Sequence, residues 1–292
     1  KRNHTILTEL TTIKAYFAFL LRKGYISREP DFASIQRESM KVNRRDFLSL
    51  TQYTQTLNTV RKWYKSKSTT PTQKYNREMI YLCLLIMANS SLRKGELKGL
   101  KWGDLEPNTN LDKEDQKVGH LIRVRAEVSK TGEPRTVQTP TVEYFDRLRT
   151  LQGIKKKSGA PFPHIPLELR DQLVLTKYNH PDEPLGLGTW NQCWKQIKEL
   201  CAHRYWGDKN ITYYSFRHTA ISFAVQRQVP LLQLARNSGT GVRYVEQVYY
   251  HHEAESKKNW ETLMKNRKFH DAVSEKGSSI NLKLEDALGV DV

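Results

Sequence analysis

The chain has 292 residues and a mass of 34.1 kDa, with 48 Lys+Arg against 31 Asp+Glu, a formal net charge of +17 and a pI near 9.7. Its apolar stretch at Tyr81 to Ala88 is far short of the roughly 20 residues that a membrane-spanning helix needs. Three cysteines in a chain this long exclude a disulfide scaffold and fit a reducing compartment. Mean hydropathy is −0.69, but 6 Trp, 14 Tyr and 9 Phe are enough to build a core, which excludes wholesale disorder. A basic excess of this size on a folded chain points to a polyanionic partner, most often nucleic acid.

The chain opens on Lys rather than Met, as a fragment or processed form does. Ile13, Phe17, Leu20 and Leu21 recur at helical spacing and predict one amphipathic helix over 6–24, ending at Gly24. Residues 27–45 are polar, contain Pro30, and read as a linker. A basic helix is predicted over 49–65, then a loop over 66–72 with Thr72 as the next helix cap. Residues 73–88 form a strongly apolar, central helix that Asn89, Ser90 and Ser91 break, and a short helix follows over 93–100. Residues 105–118 read as loop, and 121–128 and 135–139 as two strands joined by a turn at Lys130-Thr131-Gly132-Glu133.

Pro, Gly and Lys over 155–188 predict an irregular excursion. The helix over 189–204 has capping-box spacing at Thr189 and Gln192, and an apolar stripe of Trp190, Cys193, Trp194, Ile197, Leu200 and Cys201. Cys193, Cys201 and His203 are set aside as a zinc site, because both cysteines lie on that stripe. Three short helices follow, over 213–228, 230–237 and 242–250, then a polar helix around Trp260. The last 22 residues carry a net charge of −3, and their apolar spacing fits a strand or a helix equally.

Four segments carry candidate chemistry: SLRKGELKGLKWGDL at 91–105, SKTGEPRTVQTP at 129–140, YYSFRHTAIS at 213–222 and SGTGVRYVEQVYYHH at 238–252. Singly each is commonplace. In this order and spacing, over about residues 45–252, the set resembles the tyrosine recombinases, the phage-integrase family, in their phage and mobile-element form. Arg93 with Glu96 is similar to that family's first arginine and following glutamate. Lys130 is similar to its hairpin lysine, and Tyr214 to Arg217 to its His-x-x-Arg box. Tyr249, 32 positions after Arg217, falls at the nucleophile's place. The chain departs from the pattern twice: Tyr214 stands where the first His is usual, and Thr240 where a later His or Trp is usual.

The chemistry has its own logic. Transfer at a phosphodiester gathers negative charge on the equatorial oxygens, and two guanidiniums can each offer paired donors to them. Arg93 and Arg217 are the candidates. Arg93 also opens a helix, whose N-terminus favours an anion. A hairpin-tip lysine, Lys130, can protonate the leaving 5′ oxygen. A tyrosine hydroxyl, with a pKa near 10, needs nearby cations to act as a nucleophile. Tyr249 shares a helix face with Val242 and Val245; Tyr250 is the second choice, and Tyr244 lies opposite. Thr240 cannot act as an acid or base near neutral pH, but its hydroxyl can hydrogen-bond a phosphate oxygen; Tyr214 matches the phage-type members of the family it resembles, where Tyr and other polar residues stand at the first His position. The resemblance implies that His218, which follows Arg217 as in the family, hydrogen-bonds within the site, and that His251, where family members often carry a His, is structural.

The resemblance implies a mixed α+β, mainly α-helical fold: a tyrosine-recombinase catalytic domain with a small antiparallel sheet against a helical body. It implies three regions. Residues 1–42 are the last helix of a truncated core-binding domain plus linker, 43–272 the catalytic domain, and 273–292 an acidic tail that docks on a neighbouring protomer. It implies a site-specific recombinase that integrates or excises a phage or mobile element through a 3′-phosphotyrosyl intermediate. No metal or other cofactor is expected. The implied partners are double-stranded DNA, further copies in a homo-tetramer on DNA (dimer or monomer off it) and accessory DNA-bending or directionality proteins, in the host cytoplasm beside the nucleoid. Two alternatives are an inactive DNA-binding relative and a type IB topoisomerase.

Overall fold

A helix that is apolar on every side is stable only where other elements cover all of it. The run from Met79 to Met87 is such a helix. In the computed structural model, which describes residues 3–32, 46–67, 70–156 and 162–249, it is the second half of α3 (Pro71–Ser90), and every residue of the run is buried. Around it pack α2 (Leu50–Tyr64), α5 (Val142–Leu151), α6 (Leu187–Cys201) and α7 (Tyr213–Gln226). Both ends of α3 lie beyond the predicted bounds. Thr70, not Thr72, is the cap: its hydroxyl accepts from the Gln73 N–H and the Gln73 side chain accepts from the Thr70 N–H, both at 3.2 Å, with Pro71 next. Asn89 and Ser90 stay helical because their side chains donate back to the Leu85 and Ile86 carbonyls at 2.8 and 2.7 Å. The helix stops at Ser91, in the left-handed conformation at φ 56°.

Beside this body lies an antiparallel sheet of β1 (Leu105–Pro107), β2 (His120–Val124) and β3 (Arg135–Thr139), in that order. Two expectations are corrected here. Residues 105–118 are not all loop, because β1 pairs with β2 and sets Leu105 opposite Ile122, both fully buried. The second strand does not run to Val128. Arg125 leaves the ladder to donate to the Asp104 carboxylate (2.9 Å) and the Gly99 carbonyl (2.7 Å), and the chain turns through Ser129, whose N–H donates to the Arg125 carbonyl. A long loop, 125–134, therefore separates β2 from β3 and carries Lys130.

The excursion over 155–188 contains a second antiparallel pair, β4 (Thr176–Lys177) and β5 (His180–Pro184). It leads straight into α6, whose N-cap is Gly186, so the predicted Thr189–Gln192 box does not form. The α6 stripe is as predicted: Trp190, Cys193, Ile197 and Cys201 are buried, with Trp194 and Leu200 at the core's margin. Burial pushes the Cys193 thiol up to about 11 and the Cys201 thiol to about 12, as suits core side chains. His203 is exposed in the π-helical turn, Ala202–Trp206, that continues α6.

α7 is buried from Ser215 through Val225. Its second half forms a smaller apolar cluster with α8 (Leu231–Ser238) and α9 (Val242–Tyr249), built from Ile221, Ala224, Val225, Leu234, Ala235 and Val245. Of the two valines read as sharing a face with Tyr249, Val245 is buried and Val242, at the first position of α9, is exposed. The whole is a mainly helical α+β architecture with a small antiparallel sheet, β3 of which touches both α3 and α8.

Residues 1–44 cluster separately from the rest. That unit holds α1 (Asn3–Arg22), ended at Gly24 (φ 74°), with the Tyr25 N–H donating to the Leu20 carbonyl. Phe17 packs on Phe32 at 5.6 Å between ring centres. Among the described residues no helix is long and apolar enough to cross a membrane. The predicted helix around Trp260 and the acidic tail lie outside the described residues.

Candidate active site

The left-handed turn at Ser91 reverses the chain after α3 and delivers Arg93 to the N-cap of α4 (Lys94–Lys98). Glu96 then folds back. Its carboxylate accepts from the Arg93 N–H at 2.8 Å and from Arg93 Nη1 at 2.7 Å. The same carboxylate accepts both forks of Arg135, at 2.9 and 2.8 Å. The Glu96 side chain is only 1% exposed. Burial alone would push its carboxyl upward, but the hydrogen bonds from Arg135 and Arg93, with Arg135's charge, hold it below the usual carboxylate range. Glu96 therefore takes the place that the sequence reading gave to an anion at the start of α4.

Arg217 arrives from the first half of α7 and is 1% exposed. Its Nη1 donates to the Ser91 carbonyl and its Nη2 to the Ser238 carbonyl at 2.7 Å. Arg93 Nη2 donates to the next carbonyl, Gly239, at 2.5 Å. The two arginines, far apart in sequence, thus meet on consecutive peptide groups of one turn. Burial and the neighbouring Arg93 charge push the Arg217 guanidinium below its ordinary value. Its Nε is buried and has no hydrogen-bond partner among the described residues. Three guanidiniums and one carboxylate leave this cluster with a formal charge of about +2, enough to hold a phosphate diester.

The turn itself is fixed from β3. Asn237 pairs with the Gln138 backbone in both directions, accepting its N–H at 2.8 Å and donating to its carbonyl at 3.2 Å. Arg135 Nε reaches the Asn237 carbonyl at 3.4 Å. Gly239, at φ 62°, lies flat against Arg135: a Cβ there would stand 2.6 Å from its Nε and Cζ. Only glycine satisfies both the left-handed backbone and this contact.

The predicted residues fall into three groups. Arg93 and Arg217 are brought together, with Tyr214 and Thr240 at their border. The half-buried Tyr214 ring lies 5.9 Å from the Arg217 Cζ and 4.8 Å, edge to face, from the buried His218. Thr240 follows Gly239, its N–H donating to the Ala235 carbonyl at 3.1 Å. Lys130 stands exposed in the 125–134 loop, and among the described residues no hydrogen bond or ion pair ties it to the cluster. Tyr249 is the last residue of α9, one helical turn after the buried Val245. Its side chain, and all of Tyr250, His251 and His252, lie outside the described residues.

Two residues of the cluster escape the sequence reading, Arg135 and Asn237. A signal for Arg135 exists: a carboxylate at position 96, buried beside a helix start, needs more than the one cation that Arg93 supplies. An arginine opening the strand after the lysine loop is within reach of it. Asn237 leaves no such trace.

No protein-family model matches the chain, and no curated protein matches it in sequence. Solved structures do. The Tn1549 transposon integrase in complex with circular intermediate DNA superposes with a TM-score of 0.51 at 18% identity, over 84% of this chain and 74% of that one. A variant of that integrase with transposon right end DNA gives 0.53 at 16% identity, over 87% and 79%. The XerH site-specific recombinase in its post-cleavage complex with palindromic difH substrate gives 0.52 at 14% identity, over 83% and 64%. Likeness at these identities shows the fold, that of the tyrosine-recombinase catalytic domain.

Proposed function

We propose that this chain is a site-specific recombinase that cuts and rejoins double-stranded DNA through a 3′-phosphotyrosyl intermediate, integrating or excising a phage or mobile element. The observation that carries the proposal is the meeting of Arg93 and Arg217 on the Ser238 and Gly239 carbonyls, in the turn that leads into the helix ending at Tyr249. The structural neighbours named as an integrase and a recombinase, both bound to DNA, support the same reading.

In the proposed reaction the two arginines exchange carbonyl oxygens for the non-bridging oxygens of one phosphate. Tyr249 Oη attacks the phosphorus, the P–O5′ bond breaks, and Lys130 gives its proton to the departing 5′ oxygen. In this reading the phenol proton leaves to water, at a cost that the nearby positive charge lowers. One phosphate ester replaces another, so the step is near isoenergetic and a second strand's 5′ hydroxyl can reverse it. The arginines supply the charge that a metal supplies elsewhere. Four copies on DNA, with the tail 273–292 docked between neighbours and DNA-bending partners beside them, form the proposed assembly in the host cytoplasm.

A nicked duplex that traps the cleaved state tests this. Wild type and Tyr250→Phe are expected to yield a covalent protein–DNA band, and Tyr249→Phe none. A band that persists in Tyr249→Phe refutes the nucleophile. A wild type that binds DNA without any adduct refutes the enzyme in favour of an inactive DNA-binding protein. Relaxation of plasmids lacking any specific site favours a topoisomerase.

A further inference from the structure

We propose that Arg135 is a positioning residue for strand cutting, holding Glu96 and the 237–239 turn so that Arg93 and Arg217 converge on one phosphate. This rests on the reading of the site given above. Four observations carry it. Arg135 grips Glu96 with both forks while Arg93 spends only Nη1 and its backbone N–H there, which leaves Arg93 Nη2 directed at the turn. Arg135 also touches the turn itself, through the Asn237 carbonyl and the face of Gly239. It opens β3 directly after the loop that carries Lys130. One side chain therefore joins α4, the lysine loop's base and the turn that both arginines contact.

The fourth observation is charge. Glu96 is buried, so its negative charge must be met inside the cluster. With Arg135 present, one guanidinium balances Glu96 and two remain for the phosphate. Without it, Glu96 claims Arg93 and the cluster falls from about +2 to about +1. Lysine at 135 keeps the charge but loses the planar fork.

The test uses the full chain and the nicked duplex at saturating protein, so that adduct formation is read apart from DNA binding. Arg135→Gln is expected to bind DNA within about threefold of wild type and to form adduct about a hundredfold more slowly. Adding Glu96→Gln to it removes the unmet negative charge and recovers about tenfold. Loss of fold support alone predicts the opposite, a double variant worse than either single one. Arg135→Gln cutting within about threefold of wild type, or a double variant no faster than Arg135→Gln, overturns the proposal. Should Arg135→Gln not fold, Arg135→Lys decides: about tenfold slower adduct formation supports it, and the wild-type rate overturns it. Should wild type form no adduct, the functional reading fails instead. The strut is then judged by 13C NMR titration of the Glu96 carboxyl, expected to move upward in the position 135 variants; an unmoved titration overturns it.

Discussion

Replacing Gly239 by alanine tests the geometry of the cluster without reference to DNA. Two costs add. Alanine at φ 62° pays about 1 kcal/mol for the left-handed backbone. Its Cβ, 2.6 Å from the Arg135 Nε and Cζ, also evicts that side chain from its paired contact with Glu96. Glu96 keeps Arg93, so the loss is that of charged hydrogen bonds rather than of a lone buried ion, about 2 kcal/mol. The total is about 3 kcal/mol, which lowers the urea midpoint by about 1 M for a slope of about 3 kcal/mol/M. In an Arg135→Ala background the clash is gone and the same substitution should cost only about 1 kcal/mol, leaving a coupling of about 2 kcal/mol between the two sites. Equal costs in the two backgrounds would show that Gly239 is required for its backbone alone, and the account of Arg135 as the wall against that turn would be wrong.

Two other outcomes follow from single side chains. His120 is buried among Phe145, Phe162 and Thr141, and burial pushes its imidazole down to about 3. The unfolded chain takes up a proton near pH 6.5 and the folded one does not, so stability should fall by about 2 kcal/mol between pH 7 and pH 5 from this group alone. His120→Asn should flatten that part of the profile in chemical denaturation, and an unchanged slope would remove His120 as its source. Lys130→Ala should slow adduct formation on an ordinary nicked duplex but not on one with sulfur in place of the bridging 5′ oxygen, because a thiolate leaves without a proton. Equal slowing on both substrates would deny Lys130 the role of acid.

What the sequence made legible is what periodicity and charge encode. The central helix shows itself as an unbroken apolar run and α6 as a stripe, while the basic excess is read from composition directly. The arginine pair was legible only through the order of four weak motifs. Short elements were not legible: β1 has three residues and β4 two, too few for alternation to rise above chance, and they are strands only because a partner lies beside them. The start of α6 was misplaced for a related reason. Thr189–Gln192 has the spacing of a cap, but β5 hands the chain to the helix at Gly186, and tertiary connection overrode the local signal.

Arg135 shows why a site is harder to read than a fold. On its own strand nothing distinguishes it from any charged residue beside a turn. Its meaning comes from Glu96, on another element, which is buried at the start of α4 just past the left-handed turn at Ser91. A buried carboxylate creates a demand for cations that the fold must meet. Arg93 cannot meet that demand and also offer its donors to a substrate. The second arginine follows from this conflict, so the residue to look for beside any buried acid near a candidate anion site is the cation that frees the first one.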